Sequence, residues 1–273
     1  MKKTIDITVA IPVYNSKETI FRAIESILEQ TVQPKKIIIV DDKSTDDTVN
    51  NVKQYIEKYQ GNIQIQLIEL DINSGPAKAR NTGWNNSNSK YIAFLDSDDS
   101  WHPQKLEIQY NFMKNNPDIK LTGHLMKLCL EKTPNQKNIN IEKNIDNTLI
   151  TDKMLINKNL FTTTSNIIIS NDVKLRFNEK MRYSEDYYLW LNICFKYKIA
   201  LLNYELGYAY KSYTGAGGLT GNINAMYQGS IQISKILLKD KKITYLQYLY
   251  RISIRTFKFL VQYAKKNIIK GNS

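Results

Sequence analysis

Three aspartates fall within four positions at the end of an apolar run, in YIAFLDSDDSWHP at 91–103. Asp96, Asp98 and Asp99 repel one another unless something positive lies among them, so the stretch is either a turn screened by water or a metal site. One helix cap uses one aspartate and leaves the other two in repulsion, which favours the metal reading. Carboxylates with water and a diphosphate are the usual ligands of Mg2+ or Mn2+. Cys129 and Cys194 form no CxxC pair and the chain has two histidines, so any metal must be held by oxygen.

Two more polar clusters follow apolar runs, PVYN at 12–15 and DDKSTDD at 41–47. At the second, capping is the competing account, because Ser44 followed by Asp47 is close to a capping box. GPAKARN at 75–81 opens a helix with a Gly-Pro turn, and Lys78 and Arg80 could offer amides and cations to a phosphate. A solvated helix face explains that motif equally well. There is no GxxxxGK[ST], and no GxGxxG follows the first strand, so neither a P-loop nor a dinucleotide fold is indicated.

The elements that must position these residues can be read from periodicity. ITVAIPV, KIIIV, IQIQLIEL and YIAFL predict strands, alternating with helices over 16–31, 44–60 and 76–87. Ser16 is the expected cap of the first helix, whose apolar face is Ile20, Ala23, Ile24, Ile27 and Leu28. A helix over 102–115 and a strand over 119–130 follow, then a polar joint at 132–150. FTTTSNIIIS predicts a strand, SEDYYLWLNICFKYK a helix capped by Ser184, and KIALLNYELGYAY one or two strands. From Asn222 the pattern is helical with a break near 239–243. Continuous apolar strands between helices imply an α/β fold with a mostly parallel central sheet flanked by helices. In such a sheet ligands bind beyond the carboxyl ends of the strands, where all three acidic or polar clusters fall.

At 273 residues, 42% hydrophobic and 11% aromatic, the chain is globular and long enough for a full core. Asp6 interrupts the apolar part of the N-terminus and Pro12 follows, so a signal peptide is not expected, and no apolar run is long enough to span a bilayer. A cytoplasmic location is expected. The net charge of +12 is uneven: residues 239–273 hold nine Lys or Arg against Asp240 alone. KKITYLQYLYRISIRTFKFLVQYAKKNIIK at 241–270 alternates aromatic and aliphatic residues with cations at helical spacing. It can lie on an anionic membrane surface or pack on the body with a basic outer face. No nucleic-acid motif accompanies the charge, and no nucleic-acid partner is expected.

IPVYN, VDDKSTDDT, NSGPAKARNTG, YIAFLDSDDSWHP and SEDYYLW, in that order, resemble the family 2 glycosyltransferases, which have the GT-A fold. The resemblance covers about the first 190 residues. It implies a nucleotide-sugar-binding half, here 1–131, followed after the joint at 132–150 by an acceptor-binding half, here 151–238, with the basic helical tail read from its charge and spacing at 239–273. It implies that Pro12 and Tyr14 line the base pocket, that Asp42 accepts a hydrogen bond from uracil, and that Arg80 lies near the nucleotide or its phosphates. Asp96 and Asp98 would contact the ribose and sugar or the metal, and Asp98 or Asp99 would coordinate Mn2+ or Mg2+. Asp186 matches the catalytic base, with Glu185 as acceptor or support residue; without the resemblance, Asp186 reads as an ordinary first-turn acid.

One stretch departs from the family. YAYKSYTGAGGLTGN at 208–222 lacks the arginine and histidine that many relatives carry after the tyrosine, so the histidine's role is not carried over. Lys211 stands there instead, to neutralise a diphosphate or as a plain loop lysine. The Gly-rich end resembles a GxxGLS-type segment of transferases that build bacterial surface polysaccharides. The expected activity is inverting transfer from a UDP-sugar to a saccharide hydroxyl, on an acceptor carried by polyprenyl diphosphate at the inner face of the cytoplasmic membrane. The rival expectations are a catalytically silent carbohydrate-binding scaffold and a nucleotidyltransferase.

Overall fold

A computed structural model describes residues 2–129, 139, 145–210 and 222–271, with side chains to Ala264. Lys211, the Gly-rich stretch after it and most of the 132–150 joint lie outside the described residues. Strands β1 (Thr4–Val13), β2 (Gln33–Asp41), β3 (Gln64–Glu69) and β4 (Tyr91–Phe94) alternate with helices α1 (Ile20–Leu28), α2 (Thr48–Lys58) and α3 (Pro76–Asn85). These four strands are parallel, in the order β3-β2-β1-β4. β1 is buried along both faces because helices cover both: Ile5, Ile7, Val9 and Ile11 pack with Ile20, Ile24 and Ile27 of α1, while Ala10 packs with Trp84 of α3.

The chain continues with β5 (Asp99–Trp101), α4 (Lys105–Asn115), β6 (Ile119–Leu128), β7 (Asn147–Ile150), α5 (Asp152–Asn157) and a 3-10 turn at Thr164–Asn166. Then come β8 (Ile168–Ser170), α6 (Glu185–Cys194), β9 (Lys198–Ala209), α7 (Ile223–Lys239) and α8 (Tyr245–Gly271). β8 joins the parallel half antiparallel to β4, β6 follows it, and β9 runs parallel to β6. The outer edge of β9 takes β7 along Ile199–Leu202 and β5 along Gly207–Ala209. One sheet therefore runs through both halves of the chain. The acidic loop after β4 is tied to it twice, through β4 on one side and through β5 on the other.

Three local expectations change. The first helix begins at Ile20, and Ser16 serves it with its backbone carbonyl, while its hydroxyl bonds Ser97 at 2.8 Å. The strand expected over FTTTSNIIIS is confined to Ile168–Ser170, because the hydroxyls before it bond carboxylates and the backbone there leaves the ladder. Ser184 does not cap α6 with its side chain; it sits in the left-handed region at φ 59° and ends the preceding loop. The break after α7 falls where expected, between Lys239 and Tyr245.

Gly83 lets α3 lie close on β1: a Cβ there would be 2.8 Å from the Ala10 Cβ and 3.5 Å from a Val40 methyl. Alanine normally gains about 1 kcal/mol over glycine inside a helix. The Ala10 Cβ, fixed to the backbone of β1, cannot retreat, and overpacking of this kind costs about 1–3 kcal/mol. Gly83→Ala is expected to lower stability in urea denaturation despite its better helix propensity.

Candidate active site

A cleft of about 660 Å³ opens at the carboxyl ends of β1, β2 and β4. Pro12, Tyr14, Asp42, Arg80, Asp96 and Asp98 all line it, so the three clusters spaced along the sequence converge on one crevice. Asp42 is buried, and its two carboxylate oxygens accept the N–H groups of Ser74 and Gly75, each at 2.7 Å. This bond shapes the turn before α3, where Gly75 holds φ 90°, a conformation that suits glycine. The Gly75 amide is therefore already occupied by Asp42. Lys78 is occupied too, 3.3 Å from Glu179, and does not line the cleft.

In the 41–47 cluster the capping box is not formed. Asp47 makes no side-chain cap, and the α2 N-terminus is served by Asp46, which accepts the Thr48 N–H at 3.0 Å and bonds the Thr48 hydroxyl. Ser44 instead accepts the Asn15 N–H at 2.9 Å, tying the PVYN turn to the loop after β2.

Arg80 is the centre of the site. Its guanidinium donates to Asp96 at 2.8 Å and to Glu185 at 3.0 Å; Arg80 and Glu185 are buried and Asp96 is partly exposed to the cleft. Burial alone would make the charge costly, but Asp96, Glu185 and Asp186 outweigh it and hold the guanidinium protonated. The acids shift the other way. Burial and the neighbouring Asp186 raise the pKa of Glu185, and burial raises that of Asp186, whose Oδ1 accepts the Tyr187 N–H at 2.6 Å. The left-handed Ser184 turns the chain so that Glu185 and Asp186 form the first turn of α6 beside Arg80.

The 3-10 turn supplies a second support. Thr164 Oγ1 donates to both oxygens of Asp96, at 2.9 and 3.0 Å, and Ser165 Oγ donates to Asp99. Asp98 and Asp99 part company here. Asp98 lines the cleft, while Asp99 belongs to β5, is buried, and is not among the lining residues. Burial, Asp96 and Asp98 push the Asp99 carboxyl well above the usual range. The loop's backbone is gripped by Arg22, whose guanidinium donates to the Asp98 carbonyl at 2.6 Å and stacks on Tyr210 at 3.7 Å.

The cleft offers hard carboxylate oxygens, the donor type that Mg2+ and Mn2+ take. Among the described residues no three His, Cys, Asp or Glu gather to hold a metal, and both histidines are buried away from the cleft. The residues fit a cation bound by a carboxylate on one side and by phosphate oxygens and water on the other. Periodicity did not single out Arg182, an exposed cation on the cleft rim two positions before Ser184. Nor did it mark the hydroxyls of Thr163, Thr164 and Ser165, which read as strand residues.

A parallel α/β half, an acid-lined crevice at its strand ends and a mixed second half make up the GT-A fold. The match to solved structures is close over nearly the whole chain: S. aureus TarS in complex with UDP-GlcNAc superposes with a TM-score of 0.66 at 22% identity, over 96% of this chain and 72% of that one. The mannosyltransferase PcManGT from Pyrobaculum calidifontis, solved with GDP-Man and Mn2+, gives 0.64 at 14% identity, over 86% of this chain and 64% of the other. The model of glycosyl transferase family 2 matches residues 8–174, and the chain belongs to that family. Among curated relatives, the Escherichia coli UDP-Glc:alpha-D-GlcNAc-diphosphoundecaprenol beta-1,3-glucosyltransferase WfgD is 29% identical over 200 residues, 72% of this chain and 73% of the relative. The putative teichuronic acid biosynthesis glycosyltransferase TuaG of Bacillus subtilis is 36% identical over 140 residues, 51% of this chain and 54% of TuaG.

Removing Arg80 leaves the buried Glu185 and the partly exposed Asp96 without their cation, and breaking a buried pair such as Arg80–Glu185 costs about 3–5 kcal/mol. Arg80→Met is expected to lose stability of that order in urea denaturation, and adding Glu185→Gln is expected to restore part of it.

Proposed function

We propose that this glycosyltransferase moves a sugar from a UDP-sugar to a hydroxyl of a saccharide acceptor with inversion, using Mn2+ or Mg2+, in the assembly of a bacterial surface polysaccharide. The observation that carries the reading is the bridge Asp96–Arg80–Glu185, which fixes the acidic donor-side loop and the first turn of α6 in one frame. On this reading Pro12 and Tyr14 flank the base. Asp42, each of whose oxygens has a lone pair left after its bonds to Ser74 and Gly75, meets the uracil edge.

Asp98, which lines the cleft, is the protein ligand we assign to the metal, with Asp96 beside it; Asp99, buried and bonded to Ser165, backs the loop from behind. A bound divalent ion would stabilise the charge growing on the leaving diphosphate. Arg80 is already matched by its carboxylates, so the donor's phosphates need another cation. Arg182, with no ion pair or hydrogen bond among the described residues, fills that role, as Lys211 does from the segment beyond Tyr210.

The acceptor hydroxyl attacks the anomeric carbon from the face opposite the diphosphate. A new carbon–oxygen bond forms as the bond to phosphate breaks, UDP leaves with the electron pair, and Asp186 takes the hydroxyl proton. A carboxylate whose pKa is raised by burial is a better base than an exposed one, and Glu185 is committed to Arg80. The acceptor half is assigned to residues 151–238. A polyprenyl-diphosphate-linked saccharide at the inner face of the cytoplasmic membrane is the acceptor we favour, supported by the diphosphoundecaprenol substrate in the name of WfgD.

Asp186→Asn is expected to lose at least about 10²-fold in UDP release with acceptor present, the scale of a lost general base, while UDP binding by calorimetry stays near that of the parent. Wild-type turnover in this variant would remove the base assignment. The acid limb of the parent's rate profile is expected above the ordinary aspartate range, since protonating Asp186 stops the reaction. Arg182→Ala is expected to weaken UDP binding several-fold and to leave binding of uridine unchanged, because only the diphosphate meets the guanidinium.

A further inference from the structure

The tail helix does not present the face that its composition suggests. Arg251 and Arg255 turn inward: Arg251 Nε donates to the Ser234 hydroxyl at 3.4 Å, and Arg255 Nη1 donates to that of Ser230 at 2.9 Å. Phe259 stacks on Tyr227 of α7 with ring centres 4.6 Å apart, and the Thr256 hydroxyl bonds that of Tyr227 at 2.8 Å. One side of α8 is therefore fastened to α7.

The opposite side carries no charge from Leu246 to Ala264. Leu246 is 78% exposed, Tyr250 64%, Phe257 68% and Leu260 56%, with Ser253 and Ala264 the small residues of the same stripe. Their spacing of four and three residues keeps them on one line of the helix, about 27 Å long at 1.5 Å per residue. An uncharged apolar stripe of this length on a water-exposed helix marks a surface that is covered in use.

We infer that this stripe of α8 lies in the interface of an anionic lipid bilayer, apolar face inward, with the body of the enzyme held on its other side by α7. The charge pattern selects this occupant. Residues 239–273 carry nine Lys or Arg and only Asp240 as an acid, so pairing two copies of the helix would bring together two strongly positive segments with no carboxylates to offset them. The exposed Lys258 and the net positive charge of the segment instead match the negative surface of anionic lipid. Among the described residues no helix is long and apolar enough to cross a membrane, so the helix lies along the surface. α7 in turn packs against the loop before α6, where a Cβ on Gly229 would meet the Tyr183 carbonyl oxygen at 3.0 Å, and Arg255 of α8 lies over the Tyr187 ring of α6 at 5.9 Å.

The test is flotation of the full-length protein with vesicles of phosphatidylcholine alone and of phosphatidylglycerol mixed into phosphatidylcholine. The parent is expected to float with the anionic vesicles and to be released as salt is raised, since surface charge is screened over about 10 Å at 0.1 M. Phe257→Ser combined with Leu260→Gln is expected to lower the partition coefficient on the order of tenfold or more with an unchanged thermal midpoint. Parent protein left in the aqueous fraction with anionic vesicles, or a double variant that floats as well as the parent, overturns the inference. So does a parent dimer in light scattering that the double variant dissolves, since the stripe is then covered by a second copy. Flotation does not depend on turnover, so its failure leaves the assigned reaction standing, and loss of the reaction leaves the lipid contact standing.

Discussion

Arg80 links two stretches of chain that lie far apart in sequence through a single guanidinium, with Asp96 on one nitrogen and Glu185 on the other. In a site shielded from water these ionic hydrogen bonds are strong only while all partners are present, and costly if one is missing. The bridge therefore acts as a positioning device as well as a source of stability. It sets the acidic loop after β4 against the first turn of α6. Its own place is set by α3, which Gly83 brings down onto β1. Asp42 fixes the start of that helix by holding the Ser74 and Gly75 amides.

Around that bridge the balance of charge is negative. Asp96, Glu185 and Asp186 all act on Arg80, and Asp98 and Asp99 stand close to Asp96. The fold distributes the excess. Glu185 and Asp99 are buried with raised pKa values, Asp96 is held by threonine hydroxyls, and Asp98 remains at the cleft. A site so arranged receives cations readily and gives an anionic diphosphate a place only when a positive group accompanies it. This electrostatic preference agrees with the chemistry of a family 2 glycosyltransferase acting on a nucleotide sugar.

The second half does more than close the cleft. Its Thr163–Ser165 hydroxyls brace the acidic loop, β9 receives β5 at the loop's far end, and Tyr210 stacks under Arg22, which holds the loop's backbone. The two halves of the chain are thus parts of one hydrogen-bonded frame. α7 and α8 extend that frame outward, with the arginines of α8 facing the body.

Much of this was legible in the sequence. Apolar strands alternating with amphipathic helices fix a parallel α/β half, because period and length alone decide which faces must be buried, and strand ends then bring Pro12, Asp42 and Asp98 to one crevice. What remained hidden depended on partners far away in the chain. Ser16 and Ser184 looked like caps because local spacing cannot show that one bonds Ser97 and the other occupies a left-handed turn. The TTTS stretch looked like a strand because β propensity does not register carboxylates arriving from residue 96. Asp98 and Asp99 are equivalent by type and are told apart only by the fold, which leaves one at the cleft and buries the other against Ser165, and the arginines of α8 share a helix with the apolar stripe but face the other way. Local periodicity determines which elements form; tertiary structure decides which charge meets which, because Coulomb and hydrogen-bond energies depend on distance in space and not on distance along the chain.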